Sequence, residues 1–314
     1  MIHFMNKMSF KKLNPFFSQS PILIVLAASL WALDGIIRRS LYHLSPVIIV
    51  FYEHLIGSLI LLPIVVPTLK KEKLTGKVLF NASMVALLGG LLGTLFITTA
   101  LLKVHFIAFS VVFLLQKLQP LFVVGSAHFL LGEKITKGYL KWAVLALVAA
   151  FFITFPNGNV NLDSGSGTLT AALFALGAAV CWGISTTLSK SLLNTVSHQG
   201  GTILRFYLST FWALIAVYVL KSQAGLLTVG AFELSRLVYI ALTTGLLAMW
   251  IYYKGLKKTE AKVSAILELT FPLLAVFIDM VLYKTFLKPT QYLAAAVLMF
   301  AIYRVGKLQN LSSK

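Results

Sequence analysis

Long apolar runs, each bounded by polar loop residues, follow one another along almost the whole of this 314-residue chain. A helix crosses the roughly 30 Å hydrocarbon core of a bilayer with about 20 apolar residues. The runs are continuous and do not alternate polar with apolar residues, which excludes transmembrane β-strands. We therefore predict an all-α integral membrane protein. Its ten transmembrane helices are expected over residues 21–42, 46–69, 78–102, 106–131, 139–156, 168–193, 199–221, 235–256, 261–286 and 290–307.

The composition supports the membrane class and narrows the chemistry. A soluble domain carries charge on about a quarter of its residues, whereas here 11% are charged and 59% are hydrophobic. The first run is too long for a signal peptide and contains Asp34 and Arg38, so we expect it to be retained as a helix. Cys181 is the single cysteine, so neither an internal disulfide nor a thiolate metal site is predicted.

The distribution of basic residues predicts the orientation in the membrane. With the N-terminus inside, 18 of the 27 lysines and arginines lie on the cytoplasmic side and 7 on the opposite side. Lysine and arginine accumulate in cytoplasmic loops. We therefore predict that both termini are cytoplasmic in a multi-pass protein of the bacterial inner (plasma) membrane.

The two halves of the sequence resemble each other. Trp31 matches Trp182 at an offset of 151, and Pro120 matches Pro272 at an offset of 152. Because each half holds five helices, an odd number, the second repeat must be inserted upside down relative to the first. The predicted organisation is a cytoplasmic basic segment over 1–20, a first five-helix repeat over 21–156, a loop over 157–167, a second repeat over 168–307 and a cytoplasmic tail over 308–314.

Several motifs resemble those of the drug/metabolite transporter superfamily, in particular its EamA-type ten-helix members. They are Ala-Ser-Leu-Trp at 28–31, Leu-Gln-Pro-Leu-Phe at 118–122, Leu-Leu-Gly-Glu-Lys-Ile-Thr at 130–136 and Ala-Ala-Val-Cys-Trp-Gly at 178–183. The resemblance implies a ten-helix inverted-repeat fold that moves a small solute. The second half departs from the pattern, because Lys284 and Thr285 stand where a second Gly-Glu would fall.

Polar groups in the fourth run are the first candidates for a transport pathway. Ionisable residues inside a membrane cost several kcal/mol unless they are paired or hydrated. Lys117 lies near the middle of this run, and we weigh a role in the pathway against a structural ion pair. Gln116 and Gln119 are three residues apart, so they lie on one helical face and offer hydrogen bonds to a solute. Pro120 deprives a carbonyl one turn earlier of its donor, so local unwinding is expected here.

Further ionisable residues lie in the other runs, and each has more than one possible role. Glu268 can hold a substrate amine, carry a coupling proton or neutralise Lys117. Asp34 is one turn from Arg38, which suggests a local ion pair, although Trp31 beside it suits a cation. Trp182 is the counterpart of Trp31 in the second repeat.

The remaining candidates lie in the second, seventh and eighth runs. Glu53 and its neighbour His54 are either hydrated headgroup-level residues or part of a gate. Arg205 can bind an anionic group or extend to the cytoplasm. Tyr252 and Tyr253 belong either to an aromatic belt at the interface or to the pathway lining.

No enzyme is predicted, because the chain has no zinc-protease motif, phosphate loop or nucleophile elbow. Our first hypothesis is a secondary transporter, an exporter of small polar metabolites such as amino acids, working by alternating access. Lys117 or Arg205 would meet a carboxylate, and Glu268 or Asp34 an amine or a proton. The alternatives are proton-coupled efflux of lipophilic cations and a non-transporting scaffold or receptor. We expect a small-molecule substrate and lipid as partners, and no cofactor, metal or nucleic acid.

Overall fold

A computed structural model describes residues 20–103, 115–160, 168–284 and 286–312 of the chain, and these residues are all-helical without a strand. The predicted segment 1–19, the start of the fourth run and most of the loop 157–167 lie outside the described residues. The helices are α1 Ser20–Trp31, α2 Asp34–Arg38, α3 Pro46–Leu69, α4 Gly76–Lys103, α5 Gln119–Leu131, α6 Lys137–Thr154, α7 Thr168–Thr195, α8 His198–Val219, α9 Ala231–Leu256, α10 Ala261–Leu267, α11 Thr270–Tyr283 and α12 Pro289–Ser312.

Within the described residues, six helices are long and apolar enough to cross a membrane, namely α3, α4, α6, α7, α8 and α9. Two predicted single helices are each divided in two. The first run breaks at Ala32 and Leu33, between α1 and α2. The ninth run breaks at Glu268 and Leu269, between α10 and α11. We predicted these two runs from the sequence as helices and did not predict a turn within either of them.

The helices pack in pairs that join distant parts of the chain. The closest pairs are α1 with α9, α4 with α7, α3 with α8 and α6 with α12. Alanines dominate the α6–α12 contact, where Ala146 and Ala301 are completely buried. Small residues let helix backbones approach closely, which is how helices associate when lipid removes the hydrophobic driving force.

Two helices change their hydrogen-bonding pattern in the middle. Ala86–Leu92 in α4 and Ala241–Leu247 in α9 are π-helical, and each is seven residues long. A π-helical turn inserts one extra residue per turn and leaves nearby carbonyls without regular partners. Such segments occur frequently at functional sites, and both of these face the interior of the bundle.

Candidate functional site

The breaks and π-helical segments converge on an internal cavity of about 410 Å³. This volume lies in the range of pockets for small organic ligands. All of the binding candidates predicted from the sequence lie on its wall. They are Trp31, Asp34, Glu53, Gln116, Lys117, Gln119, Trp182, Arg205 and Glu268.

The fourth run unwinds next to its polar residues. Lys117 and Leu118 form a turn, and α5 begins at Gln119 with Pro120 as its second residue. The Leu121 amide donates to the Leu118 carbonyl at 2.9 Å. This bond spans three residues, whereas an α-helical hydrogen bond spans four. The local unwinding predicted from the proline is confirmed. Its physical reason is that a proline ring removes an amide donor and displaces the preceding turn.

The carboxylate of Glu268 lies at the other break and is held by neutral donors. The Tyr252 hydroxyl donates to Oε1 at 2.7 Å, and the Ser264 hydroxyl donates to the same oxygen at 2.9 Å. The Gln119 amide donates to Oε2 at 3.2 Å. Because these donors carry no charge, they orient the carboxylate without cancelling its negative charge. The carboxylate is thus presented to the cavity as an oriented acceptor.

Arg38 connects two acidic residues on the opposite side of the cavity. Its guanidinium donates to both Asp34 oxygens, at 2.5 and 3.0 Å, and to Glu53 Oε2 at 2.9 Å. The Thr244 hydroxyl donates to Asp34 Oδ1 at 2.7 Å from the π-helical segment of α9. The predicted local ion pair of Asp34 with Arg38 is confirmed. Its extension to Glu53 was not predicted, because nothing local in the sequence signals a partner 15 residues away on the next helix.

Glu53 and His54 are not hydrated headgroup-level residues. Only 8% of Glu53 and 5% of His54 is exposed. His54 Nδ1 lies 2.9 Å from the Val50 carbonyl, and its ring packs against Phe206 with 5.5 Å between the ring centres. The hydrated interpretation was wrong because α3 turns this face towards α8 and the cavity, where ion pairing and packing replace water.

The π-helical segment of α4 receives side chains from α7. Ser185 donates to the Val85 carbonyl at 3.1 Å, and the Trp182 indole donates to the Gly89 carbonyl at 3.2 Å. The absence of a side chain at Gly89 is required here, since a Cβ would lie 2.2 Å from the Ser185 hydroxyl. The free carbonyls of a π-helical segment explain why polar side chains of α7 collect at this point.

Arg205 is buried in the bundle and does not extend to the cytoplasm. Its Nη1 donates to the Tyr253 hydroxyl at 3.4 Å, and Ser189 lies 2.9 Å from the same hydroxyl. The extension to the cytoplasm was therefore a wrong interpretation, because polar partners within the bundle hold the guanidinium at the cavity wall. The Arg205 guanidinium can donate hydrogen bonds to an acceptor oxygen in the cavity.

Aromatic rings form part of the wall between the charged groups. Trp31 packs against Tyr252 with 5.1 Å between ring centres. Tyr252 and Tyr253 are 4% and 0% exposed, so the interfacial-belt interpretation was wrong for both. The tyrosines belong to the interior because α9 packs along α1. The cavity thus combines aromatic faces, hydrogen-bonding amides and charges of both signs.

Known proteins resemble this chain along nearly its whole length. The model of the EamA-like transporter family matches residues 19–155 and again residues 169–306. The riboflavin transporter ImpX of Fusobacterium nucleatum is 36% identical over 296 residues, which cover 91% of this chain and 97% of the relative. An uncharacterized transporter of Clostridium kluyveri is 27% identical over 262 residues, with coverages of 81% and 82%.

A solved crystal structure shares the arrangement of the helices. Its TM-score against this chain is 0.71 at 16% sequence identity, with 92% of this chain and 97% of that chain aligned. An identity this low carries information about the fold alone. The fold is therefore one that already occurs in an experimentally determined protein.

Proposed function

The chain belongs to the EamA-like transporter family, and on this premise we propose that it is a secondary transporter that moves a small metabolite through the internal cavity by alternating access. The family makes it an integral membrane transporter rather than an enzyme. The observation that carries the proposal is the convergence of the predicted polar residues, Lys117 and Glu268 included, on one cavity wall. A membrane scaffold has no need of such a cavity, because intramembrane charges are costly.

Alternating access rests on two inverted repeats, which we propose over residues 21–156 and 168–307 of a ten-helix protein. Three correspondences support them. The π-helical segments Ala86–Leu92 and Ala241–Leu247 lie 155 residues apart, and the breaks at Lys117 and Glu268 lie 151 residues apart, similar to the offsets of the matched tryptophans and prolines. The packing of α1 with α9 is repeated by that of α7 with α4, as expected if a two-fold axis relates the halves.

The proposed orientation places both termini in the cytoplasm of a bacterial inner-membrane protein. The basic loop at 257–260 follows α9, and Gly255 at the end of α9 lies against the Ser20 carbonyl at the start of α1. The beginning of the described chain therefore lies at the same end as basic loop residues. This arrangement agrees with the excess of lysine and arginine expected inside.

Our first candidate substrate class is the flavins, of which riboflavin is the representative. It rests on the relative named a riboflavin transporter, whose sequence this chain matches over almost its full length. The cavity offers what a planar heteroaromatic ring with a polyhydroxyl chain requires. Trp31 and Trp182 are available for stacking, and Gln116 and Gln119 can bind ring carbonyls or hydroxyls.

A zwitterionic metabolite such as an amino acid is the second candidate, and the charges of the cavity favour it. Three basic and three acidic side chains line the wall, namely Arg38, Lys117, Arg205, Asp34, Glu53 and Glu268. Opposite charges at separate positions suit a carboxylate and an amine on one molecule. Lipophilic cations fit less well, because Lys117 on the same wall repels them.

Counterflow in proteoliposomes tests the function and separates the candidates. Labelled riboflavin, amino acids and a lipophilic cation are each exchanged by wild type and Lys117→Ala. Riboflavin exchange is the expected result. If the protein exchanges amino acids and Lys117→Ala abolishes that exchange, the substrate is a zwitterion instead. If it exchanges the cation and the mutation changes nothing, the binding site is assigned to Asp34 and Glu268. If none of the compounds is exchanged, the result contradicts transport.

Export is the direction implied by the family resemblance, and vesicles of both orientations test it.

A further inference from the structure

One end of the bundle is held by an acidic residue that reaches from the first matched segment to the second. Glu72, after α3, accepts from the Ser197 amide at 3.1 and 3.2 Å and from the Ser197 hydroxyl. Ser197 is the N-cap of α8, where free amides and the helix dipole favour negative charge. The contact therefore couples the end of α3 to the start of α8.

A second acidic residue makes a matching contact at the same end. Glu133, after α5, accepts from the amides of Ala261 and Lys262 at 2.7 and 3.0 Å. Tyr139 adds a hydrogen bond to the Lys262 carbonyl at 2.8 Å. Charge-assisted bonds of a carboxylate to backbone amides are among the stronger hydrogen bonds. We call this end, formed by residues 70–75, 132–136, 196–197 and 257–260, the capped end.

Two lysines connect the helix termini within the capped end. Lys190 donates to the carbonyls of Leu256 and Lys257 at 3.1 and 2.9 Å. Lys257 donates in return to the carbonyls of Leu193 and Val196 at 2.7 and 2.6 Å. These bonds connect the C-termini of α7 and α9 to each other. Because Val196 adjoins Ser197, they also lie next to the residue that Glu72 contacts. The capped end is thus a continuous polar network.

At the opposite end, the described residues join the two segments without a carboxylate bound to backbone amides of the other segment. Gln291 donates to the Ile153 carbonyl at 2.8 Å, and Thr290 donates to Asn157 Oδ1 at 2.9 Å. Tyr52 donates to the Leu226 carbonyl at 2.8 Å, and His43, with 54% of its side chain exposed, lies 3.0 Å from Glu233. The repeat counterpart of Glu133 falls at Lys284 and Thr285, which are not acidic. In the described part of the chain, the contacts of a carboxylate in one segment to backbone amides of the other are therefore confined to the capped end.

The cavity reaches away from the capped end. On α4 its lining begins at Gly89 and continues to Leu101 near the C-terminus, and on α11 it extends from Phe271 to Ile278. We propose that Glu72 and Glu133 are gating residues that hold the capped end closed, so that the resting protein opens its cavity towards the opposite end. This inference rests on the proposed alternating access and assigns the two residues that set its resting state.

Accessibility of a single cysteine tests the gate without knowledge of the substrate. Ile97 lines the cavity, and Ile97→Cys is introduced into full-length Cys181→Ala protein. A membrane-impermeant maleimide is applied to vesicles of each orientation. We expect labelling mainly from the end opposite the capped end. Glu72→Ala and Glu133→Ala should each shift the ratio of the two labelling rates towards the capped end by about threefold or more, since losing a helix cap costs about 1 kcal/mol.

The matched control is Glu233→Ala, which removes the same charge from the opposite end, where Glu233 binds the Gly230 amide of its own helix. It should leave the ratio within about twofold, because its partner across the two segments, His43, is exposed and solvent weakens that contact. If an alanine variant does not yield folded protein, Glu72→Gln and Glu133→Gln keep the side-chain volume and replace it. An unchanged ratio in folded variants that still perform counterflow overturns the gate and leaves the transporter function standing. Equal labelling from both ends in the parent also overturns it.

Discussion

Gln119 donates a hydrogen bond of 3.2 Å to Glu268, and this contact joins the helix break at Lys117 and Leu118 to the break at Glu268 and Leu269. Gln119 belongs to the first segment matched by the family model and Glu268 to the second. Both residues line the cavity. A relative motion of the two segments changes this contact directly. Under the proposed alternating access, the pair would link the cavity to the movement of the two segments.

Glu268→Gln should reduce transport at least about tenfold, equivalent to about 1.4 kcal/mol. Glutamine keeps the size of the side chain and an acceptor for Tyr252, but it removes the negative charge that the neutral donors leave uncompensated. The measurement is the initial counterflow rate of the substrate identified in proteoliposomes. Glu233→Gln in the first turn of α9 is the control, because Glu233 is not among the cavity-lining residues of the described chain. Full activity of Glu268→Gln would mean that the charge takes no part in transport.

Arg38→Met should destabilise the protein by about 3–5 kcal/mol, because it leaves the buried carboxylate of Glu53 and the half-buried carboxylate of Asp34 without their cation. Arg38 is 7% exposed and bridges Asp34 and Glu53. Thermal unfolding in detergent measures the loss. Arg236→Met, at an exposed residue above Phe232, is the control and should change stability by less than about 1 kcal/mol.

The same experiment distinguishes charge from packing at this site. Adding Asp34→Asn and Glu53→Gln to Arg38→Met removes the uncompensated charges and should recover most of the lost stability. If the triple variant is as unstable as Arg38→Met, the guanidinium contributes through its volume and not through its charge.

Gly183→Ala should destabilise the contact of α7 with α5 by about 1–3 kcal/mol. A Cβ at Gly183 would lie 2.6 Å from Phe122 Cβ and 3.2 Å from the Gln119 carbonyl. These atoms are close to or part of the backbone, so they cannot rotate away. Gly125→Ala in the middle of α5 has no neighbour within 4 Å and should be neutral or stabilising. Equal melting temperatures of the two variants would contradict the close approach.

Trp31→Ala should weaken riboflavin binding by about 0.5–1.5 kcal/mol if the ring stacks on the indole. Trp31 lines the cavity beside Tyr252. Quenching of flavin fluorescence by the purified protein gives the dissociation constant. Trp142→Ala serves as the control, because Trp142 packs against Phe300 and is not among the cavity-lining residues of the described chain. An equal loss in both variants would indicate a general effect on folding.

The sequence predicted the candidate site better than the details of the helices. Lys117, Glu268 and Arg205 stood out because a polar residue inside an apolar run must find water or a partner, and a cavity provides both. The break near Pro120 followed from local chemistry. The break at Ala32 and Leu33 has no proline or glycine within it, and its local signal is the Asp34-Gly35 pair that follows.

Long-range contacts were beyond the sequence because they depend on how the helices pack. Glu133 was noticed as part of a family motif, but its partners, the amides of Ala261 and Lys262, are 128 and 129 residues away. The same holds for the second partner of Arg38. The π-helical segment at Ala86–Leu92 contains apolar residues and glycines, and its contacts with polar side chains of α7 and α8 depend on packing that the sequence does not show.

The most direct test of the account is to block the cavity during transport. Ile97→Cys in Cys181→Ala protein places a thiol on the cavity wall, and Val148→Cys places one on the surface of α6, where Val148 is 48% exposed. Counterflow is measured before and after complete modification with a bulky maleimide. If the cavity is the transport pathway, modification abolishes exchange by Ile97→Cys and spares Val148→Cys. Exchange that continues through fully modified Ile97→Cys would show that the substrate takes another route.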